Sequence, residues 1–167
     1  MQIRRAKPAD AAALVEHIKG IVAEPQKTAP LYPDEVVDAS TERDLIEQYA
    51  NSPRAVMLVA EDDGKIVGDL TLRAISPRRA LEHVASLGMS VRASHRRRGI
   101  GRALLAEGIA WAKSVGITRL ELFVFADNAP AIALYEAVGF QQEGRRKHFI
   151  RFGDTYVDDL VMALLLD

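Results

Sequence analysis

The sequence predicts an α+β fold, one mixed sheet with helices on its faces. Three observations predict it. Two β-rich runs flank Asp63-Gly64, a pair suited to the positive φ angles of a two-residue hairpin turn. A strand–helix–strand–helix unit then runs from His83 to Gly139, its apolar period switching between two and 3.6. The chain ends in a long β-patterned segment that turns near Gly153-Asp154, a second hairpin.

Taken in order, Gln2 to Arg5 is short and extended, and "KPADAAALVEHIKGIVAE" reads as a helix with Pro8 in its first turn and Leu14, Ile18 and Ile21 on one side. "PQKTAPLYPDEVVDAS" carries three prolines and fits neither period, so it is a loop or partial helix over the surface. "TERDLIEQYANS" has the Thr-x-x-Asp form of a capping signal at Thr41 and Asp44 and gives a second helix. After the hairpin "AVMLVAEDDGKIVGDLTLRAI", a strand from His83 to Val91 sets Leu87, Met89 and Val91 on one face and the small Ser86, Gly88 and Ser90 on the other. A helix from about Gly99 to Ser114 places Ile100, Leu104, Trp111 and Val115 on a buried stripe. "TRLELFVFA" is the next strand, and "NAPAIALYEAVG" the next helix, stopped by Gly139. No repeat, linker or low-complexity tract interrupts the chain, so residues 1–167 read as a single domain.

Composition narrows the function. The 22 basic and 23 acidic residues leave a net charge of -1, which gives no global attraction to nucleic acid or to a membrane surface. The chain has no cysteine, so thiolate nucleophiles, disulfides and cysteine zinc sites are excluded. No apolar run reaches about 18 residues and the N-terminus lacks a signal-peptide core, which makes a cytoplasmic location the default. His17, His83, His95 and His148 are scattered and form no metal-ligand pair.

One segment concentrates charge where a helix begins. In "SVRASHRRRGIGRALLAEGIAWA", Arg96, Arg97 and Arg98 precede Gly99-Ile100-Gly101-Arg102. A helix N-terminus presents unpaired N–H groups and the positive end of the peptide dipoles, and glycine lets backbone approach a bulky anion. Added cations at that end are destabilising unless an anion sits there, so the turn reads as a phosphate site. "GIGRAL" lacks the third glycine of the dinucleotide fingerprint, and no Gly-Lys-Ser/Thr follows for a nucleoside triphosphate. "GMSVR" lacks the closing glycine of a hydrolase nucleophile elbow.

Arg96, Gly99 and Gly101 match an Arg/Gln-x-x-Gly-x-Gly/Ala loop, and Asn128, Ala131, Leu134, Tyr135, Gly139 and Phe140 match Asn-x-x-Ala-x-x-Leu-Tyr-x-x-x-Gly-Phe. In this order and separation the two motifs resemble those of the GCN5-related N-acetyltransferases (GNAT), and the resemblance spans about Ser86 to Leu164. "NAPAIALYEAVGF" and the tail are similar to the subgroup that acylates amino acids and phosphinothricin-like analogues.

The resemblance implies a mostly antiparallel sheet of about seven strands and acetyl-CoA as the cosubstrate, without a metal. It implies that backbone N–H groups around Arg97, Arg98, Gly99, Ile100, Gly101 and Arg102 cradle the pyrophosphate, with the arginine side chains, Arg96 among them, secondary. The pantetheine arm would lie along Met89, Ser90 and Val91, with an oxyanion donor near the Met89 N–H. Asn128, Ala131 and Tyr135 would border the same site, and Tyr135 matches the family's general acid. Many members carry a carboxylate in mid-strand where this chain has Ser86, which leaves Glu82 and His83 as candidates for the base. The acceptor would be a small primary amine, most plausibly an amino acid, in a groove between the loop of residues 25–37 and the hairpin of residues 145–156. The alternatives are a protein N-terminus or lysine as acceptor, or a non-catalytic CoA-binding sensor. A homodimer through the last strands is common in the family. A nucleic-acid role is disfavoured because no aromatic residues interleave with the arginines.

Overall fold

The computed structural model describes residues 1–166. The first half of the chain holds β1 (Gln2–Arg5), α1 (Ala11–Val22), α2 (Ala39–Asn51), β2 (Ala55–Asp62) and β3 (Lys65–Ala74). The second holds β4 (Val84–Val91), α3 (Ile100–Ser114), β5 (Arg119–Phe125), α4 (Ala129–Val138), β6 (Gln141–Phe152) and β7 (Thr155–Leu165). Seven strands form one sheet in the order β1-β2-β3-β4-β5-β7-β6. Every neighbouring pair is antiparallel except β4 and β5.

The first hairpin closes as its sequence demands. Asp63 and Gly64 have φ of 48° and 74° and sit between the paired Asp62 and Lys65, so both central residues supply the positive φ that matches the strands' twist. The second turns at Gly153, whose φ is 59°. α2 begins two residues earlier than its Thr41 signal suggested. The Asp38 carboxylate, directly before the first helical residue, accepts the Thr41 N–H at 2.8 Å and so caps the helix, which places Thr41 inside the first turn.

Each face of the sheet has its own core. Leu70, Leu72, Leu120 and Leu122 pack against Leu104 and Leu105 of α3 on one side, all fully buried. On the other, Met57, Val59 and Ile66 meet Leu14 of α1 and Ile46 of α2. The buried stripe of α3 is Ile100, Leu104, Leu105, Gly108 and Ala112, and Trp111 and Val115 flank it half-buried. The cause lies at Gly108: a Cβ there would meet Leu70 at 3.0 Å, so the helix approaches the sheet on its small side and turns the indole outward. In α1 His17 is fully buried along with Leu14 and Ile21, while Ile18 is only half-buried. No helix among the described residues is long and apolar enough to cross a membrane.

The parallel pair positions the site. β4 and β5 are joined only from Val84 beside Arg119 to Leu87 beside Leu122. Beyond that point β4 follows β3 as far as Val91 beside Gly68, and β5 follows β7 as far as Phe125 beside Asp159. The sheet therefore opens into a wedge whose inner edges carry unpaired backbone groups.

Candidate active site

The wedge is floored by a cleft of about 320 Å³ that Leu87 to Val91 line on one side and Phe123 and Val124 on the other. A strand edge left unpaired by such a splay presents N–H and C=O groups to any extended molecule laid along it. Met89, Ser90 and Val91 all border the cleft. Their side chains alternate. Met89 and Val91 lean on the α3 core, whereas the Ser90 hydroxyl points through to the α1 side.

At the wide end of the wedge, Arg96, Arg97, Gly99, Ile100, Gly101 and Arg102 form the wall. The loop is built from left-handed backbone. Arg97 has φ of 61° and Gly99 has φ of 80°, so the amides that follow turn inward toward the start of α3. No side chain caps α3, while α2 is capped by Asp38 and α4 by Asn128, so the first N–H groups of α3 are left for a ligand. Gly101 serves packing as well. A Cβ at that position would come within 2.8 Å of Leu134, so glycine lets α3 and α4 meet beside the cleft.

The arginines of the run do different work. Arg96 donates from Nε to the Val91 carbonyl at 2.9 Å and pairs with Glu24, whose other oxygen accepts the Ala93 N–H at 3.0 Å. It fixes the loop onto the end of β4. Arg98 lies outside the cleft, 3.4 Å from Asp62. Arg97 and Arg102 are the two that border the cleft without an ion pair among the described residues.

α4 contributes the opposite wall through Asn128, Pro130, Ala131, Leu134 and Tyr135. Asn128 Oδ1 accepts the Ala131 N–H at 3.4 Å, which turns the amide nitrogen outward as a donor. Tyr135, seven residues and two turns further on, is 5% exposed and packs edge-to-face on Phe140 at 5.6 Å. Burial, and then the charge of Asp69, pushes its phenol up to about 12. The hydroxyl stays protonated at any physiological pH.

Glu82 and His83 are not brought to the cleft. Both are exposed at the far end of β4, five residues before Gly88 in the case of His83, which is about 17 Å along a strand. The His83 carbonyl instead accepts the Thr118 and Arg119 N–H groups at the start of β5. Gln26 and Thr28, from the loop after α1, border the cleft although nothing in their spacing marks them. That loop and the terminal hairpin touch at Tyr32, whose hydroxyl accepts the Gly153 N–H at 3.0 Å and donates to the Arg151 carbonyl at 3.2 Å. A second cleft, of about 590 Å³, opens on the α1–α2 side of the sheet beneath the splay, between Arg54, Arg73, Ser86, Glu121 and Phe123. Phe123 borders both clefts. No local spacing marks this group, because its members come from three strands and a loop.

An unpaired edge of a central strand, running into a bare helix N-terminus, is the arrangement the two motifs implied. The profile of the acetyltransferase (GNAT) family matches residues 22–140. The chain belongs to that family. This GNAT protein is 40% identical over 119 residues to the L-amino acid N-acetyltransferase AaaT of Escherichia coli K12, covering 70% of this chain and 72% of that one. It is similar to the ribosomal-protein-alanine N-acetyltransferase structure from Brucella melitensis, with a TM-score of 0.88 and 29% identity, covering 99% of this chain and all of the other. It shares its fold with a phosphinothricin acetyltransferase from Sinorhizobium meliloti in complex with acetyl-CoA, with a TM-score of 0.86 and 21% identity over 99% of this chain and 88% of that one. The GNAT chain is thus an N-acetyltransferase that takes acetyl-CoA as its acyl donor, carried on a mixed, mostly antiparallel seven-stranded sheet.

Proposed function

We propose that this GNAT enzyme acetylates the primary amine of a small molecule, an amino acid or amino-acid analogue, and that residues 1–167 act as one catalytic domain. The observation that carries the reading is the wedge between β4 and β5. It ends on the uncapped N-terminus of α3, so a chain laid along Met89 to Val91 would deliver its phosphates to free amides. Acetyl-CoA, when bound, supplies the activated acetyl group. The amides from Arg97 to Arg102 hold its pyrophosphate, with Arg97 and Arg102 adding charge. Arg96 acts one step back, by holding the loop to Val91. The outward amide nitrogen of Asn128 donates to the pantetheine.

Two further roles follow from position. The Met89 N–H, on the freed edge of β4, is the donor for the developing oxyanion. The Tyr135 hydroxyl donates to the departing sulfur. With its phenol at about 12, full proton transfer to a thiolate whose conjugate acid is near ~8.5 is uphill by roughly 5 kcal/mol. Tyr135 therefore works as a hydrogen-bond donor, and the proton reaches sulfur from the amine as the new bond forms. We assign no proton transfer to Glu82 or His83, which face solvent at the opposite end of β4.

The E. coli relative, named for L-amino acids, supports a small acceptor. A protein N-terminus is the second reading, favoured by the Brucella melitensis relative named for ribosomal-protein alanine. A cytoplasmic location and a homodimer through β6 and β7 belong to the same proposal. Phe149 and Tyr156 there are 56% and 50% exposed, an apolar surface suited to a second copy. The test is release of CoA from acetyl-CoA across panels of free amino acids, polyamines and N-terminal peptides. Turnover confined to free amino acids is the expected result. Turnover confined to peptides selects the second reading, and CoA binding without turnover of any amine leaves a sensor.

A further inference from the structure

We propose that the cleft bounded by Arg54, Arg73, Ser86, Glu121 and Phe123 is the acceptor site and that it takes a free α-amino acid as its zwitterion. The carboxylate lies on the two arginines and the ammonium on Glu121. This rests on the N-acetyltransferase reading above and adds the residues that choose the acceptor.

The register of the sheet builds the site. Arg73 is the partner of Ser86, and Ser86 is the partner of Glu121, so the three stand in one row across β3, β4 and β5. Their side chains leave the sheet on the same face, with the small Ser86 in the middle. Two inter-strand spacings separate the outer members, about 10 Å between Cα atoms. That gap, closed from both sides by a long guanidinium and a carboxylate, suits a molecule whose opposite charges are one carbon apart.

The charges in the cleft are incomplete without such a molecule. Neither Arg54 nor Arg73 has a carboxylate partner among the described residues, and Arg54 Nε is a buried donor with no acceptor. A buried donor left unmet is destabilising until an acceptor arrives, and a guanidinium matches a carboxylate in plane and in spacing. Glu121 is held loosely. Arg119 lies 3.7 Å from it and makes its short bonds to Glu143 instead, one of them at 2.9 Å. A carboxylate in that state keeps oxygen lone pairs for an ammonium.

Position links the row to the reaction. Glu121 precedes Leu122, the last residue of β5 paired with β4, and Phe123, 49% exposed, is shared by the two clefts. An ammonium on Glu121 stands at the point where the sheet splits. One proton passes from the ammonium nitrogen to a Glu121 carboxylate oxygen, leaving a neutral amine and a carboxylic acid, which then returns the proton to solvent. The carboxylate that β4 lacks at Ser86 is supplied by the neighbouring strand in the same row.

Matched acceptors test this, namely L-phenylalanine with 2-phenylethylamine and L-phenylalanine amide, and L-methionine with 3-(methylthio)propylamine. The wild-type enzyme is expected to prefer the amino acid of each set at least tenfold in kcat/KM. Arg54→Gln and Arg73→Gln should each raise its KM roughly ten- to a hundredfold and collapse that preference. Glu121→Gln should cut kcat, its residual rate climbing with pH through the alkaline range as the ammonium loses its proton unaided, and Ser86→Glu in the same chain should restore part of the rate. Calorimetry of L-phenylalanine into protein saturated with CoA gives a readout apart from turnover, its heat lost in Arg73→Gln. Equal turnover of amino acid and decarboxylated amine by the wild type would overturn the proposal. So would a Glu121→Gln protein with a lowered melting temperature and an unchanged pH profile, which would make Glu121 only a partner of Arg119. Wild-type protein that binds CoA and turns over no amine at all overturns the enzymatic reading instead, and the calorimetric arm still decides the site.

Discussion

Ser90 donates its hydroxyl to Asp69 Oδ1 across 2.5 Å, from β4, which borders the cleft of the wedge, to β3 beside it. His17 Nε2, fully buried on α1, lies 2.8 Å from Ser90 Oγ and 3.2 Å from the same carboxylate oxygen. The three tie the first helix to the free half of β4. Ser90→Ala removes a donor from a carboxylate that is 15% exposed, and the cost should be about 1–3 kcal/mol of stability. Urea denaturation measures it, and an unchanged midpoint would show that the hydroxyl holds nothing.

Glu42, on α2 and 8% exposed, gives a pH prediction. Burial, and then the charge of Asp69, raises its carboxyl above the ordinary value. The folded state therefore binds a proton more tightly than the unfolded state does, so this group favours folding at low pH. That contribution is lost as pH rises from the ordinary carboxylate range, near ~4.3, through the raised folded value. Glu42→Gln removes the dependence. The variant should gain stability relative to the wild type as pH goes from 4 to 7, measured by denaturant midpoints at each pH, and parallel curves would contradict it.

For Tyr135 the raised phenol separates two roles. Tyr135→Phe keeps the ring on Phe140 and removes only the hydroxyl, so kcat should fall roughly 10²–10³-fold, the cost of losing one donor to a developing charge, while the dissociation constant for CoA moves little. Because burial pushes the phenol up to about 12, the wild-type rate should show no loss assignable to this group through the neutral and mildly alkaline range. Stopped assays across that range, with calorimetry for CoA, check both. Equal losses in rate and affinity would make the residue structural.

Much of this was legible in the sequence. Period two, Asp63-Gly64 and Gly153-Asp154 gave the hairpins, because short-range turn chemistry decides them. The lining of the cleft between β4 and β5 was legible too, since the loop from Arg96 to Arg102 and the face from Asn128 to Tyr135 are each local in the chain. The second cleft was hidden. Arg73, Ser86 and Glu121 become neighbours only through strand register, and that depends on the order β3-β4-β5 in the sheet. The buried His17 was equally opaque, because the partners that make burial tolerable, Ser90 and Asp69, lie 73 and 52 residues away.

Arg97 carries the last prediction. Its φ of 61° is left-handed, a region that costs a non-glycine residue roughly 1–2 kcal/mol and a β-branched one more. Arg97→Gly relieves that strain but adds freedom to the unfolded chain worth about 0.4–1 kcal/mol, so stability should stay level or rise slightly. Arg97→Val keeps the bulk near the backbone and cannot relax, so it should lose about 2 kcal/mol or distort the loop. Affinity for CoA separates charge from conformation. Both variants lose the guanidinium, so a larger loss of affinity in the valine variant measures what the loop's backbone contributes, whereas equal losses would assign the whole effect to the charge.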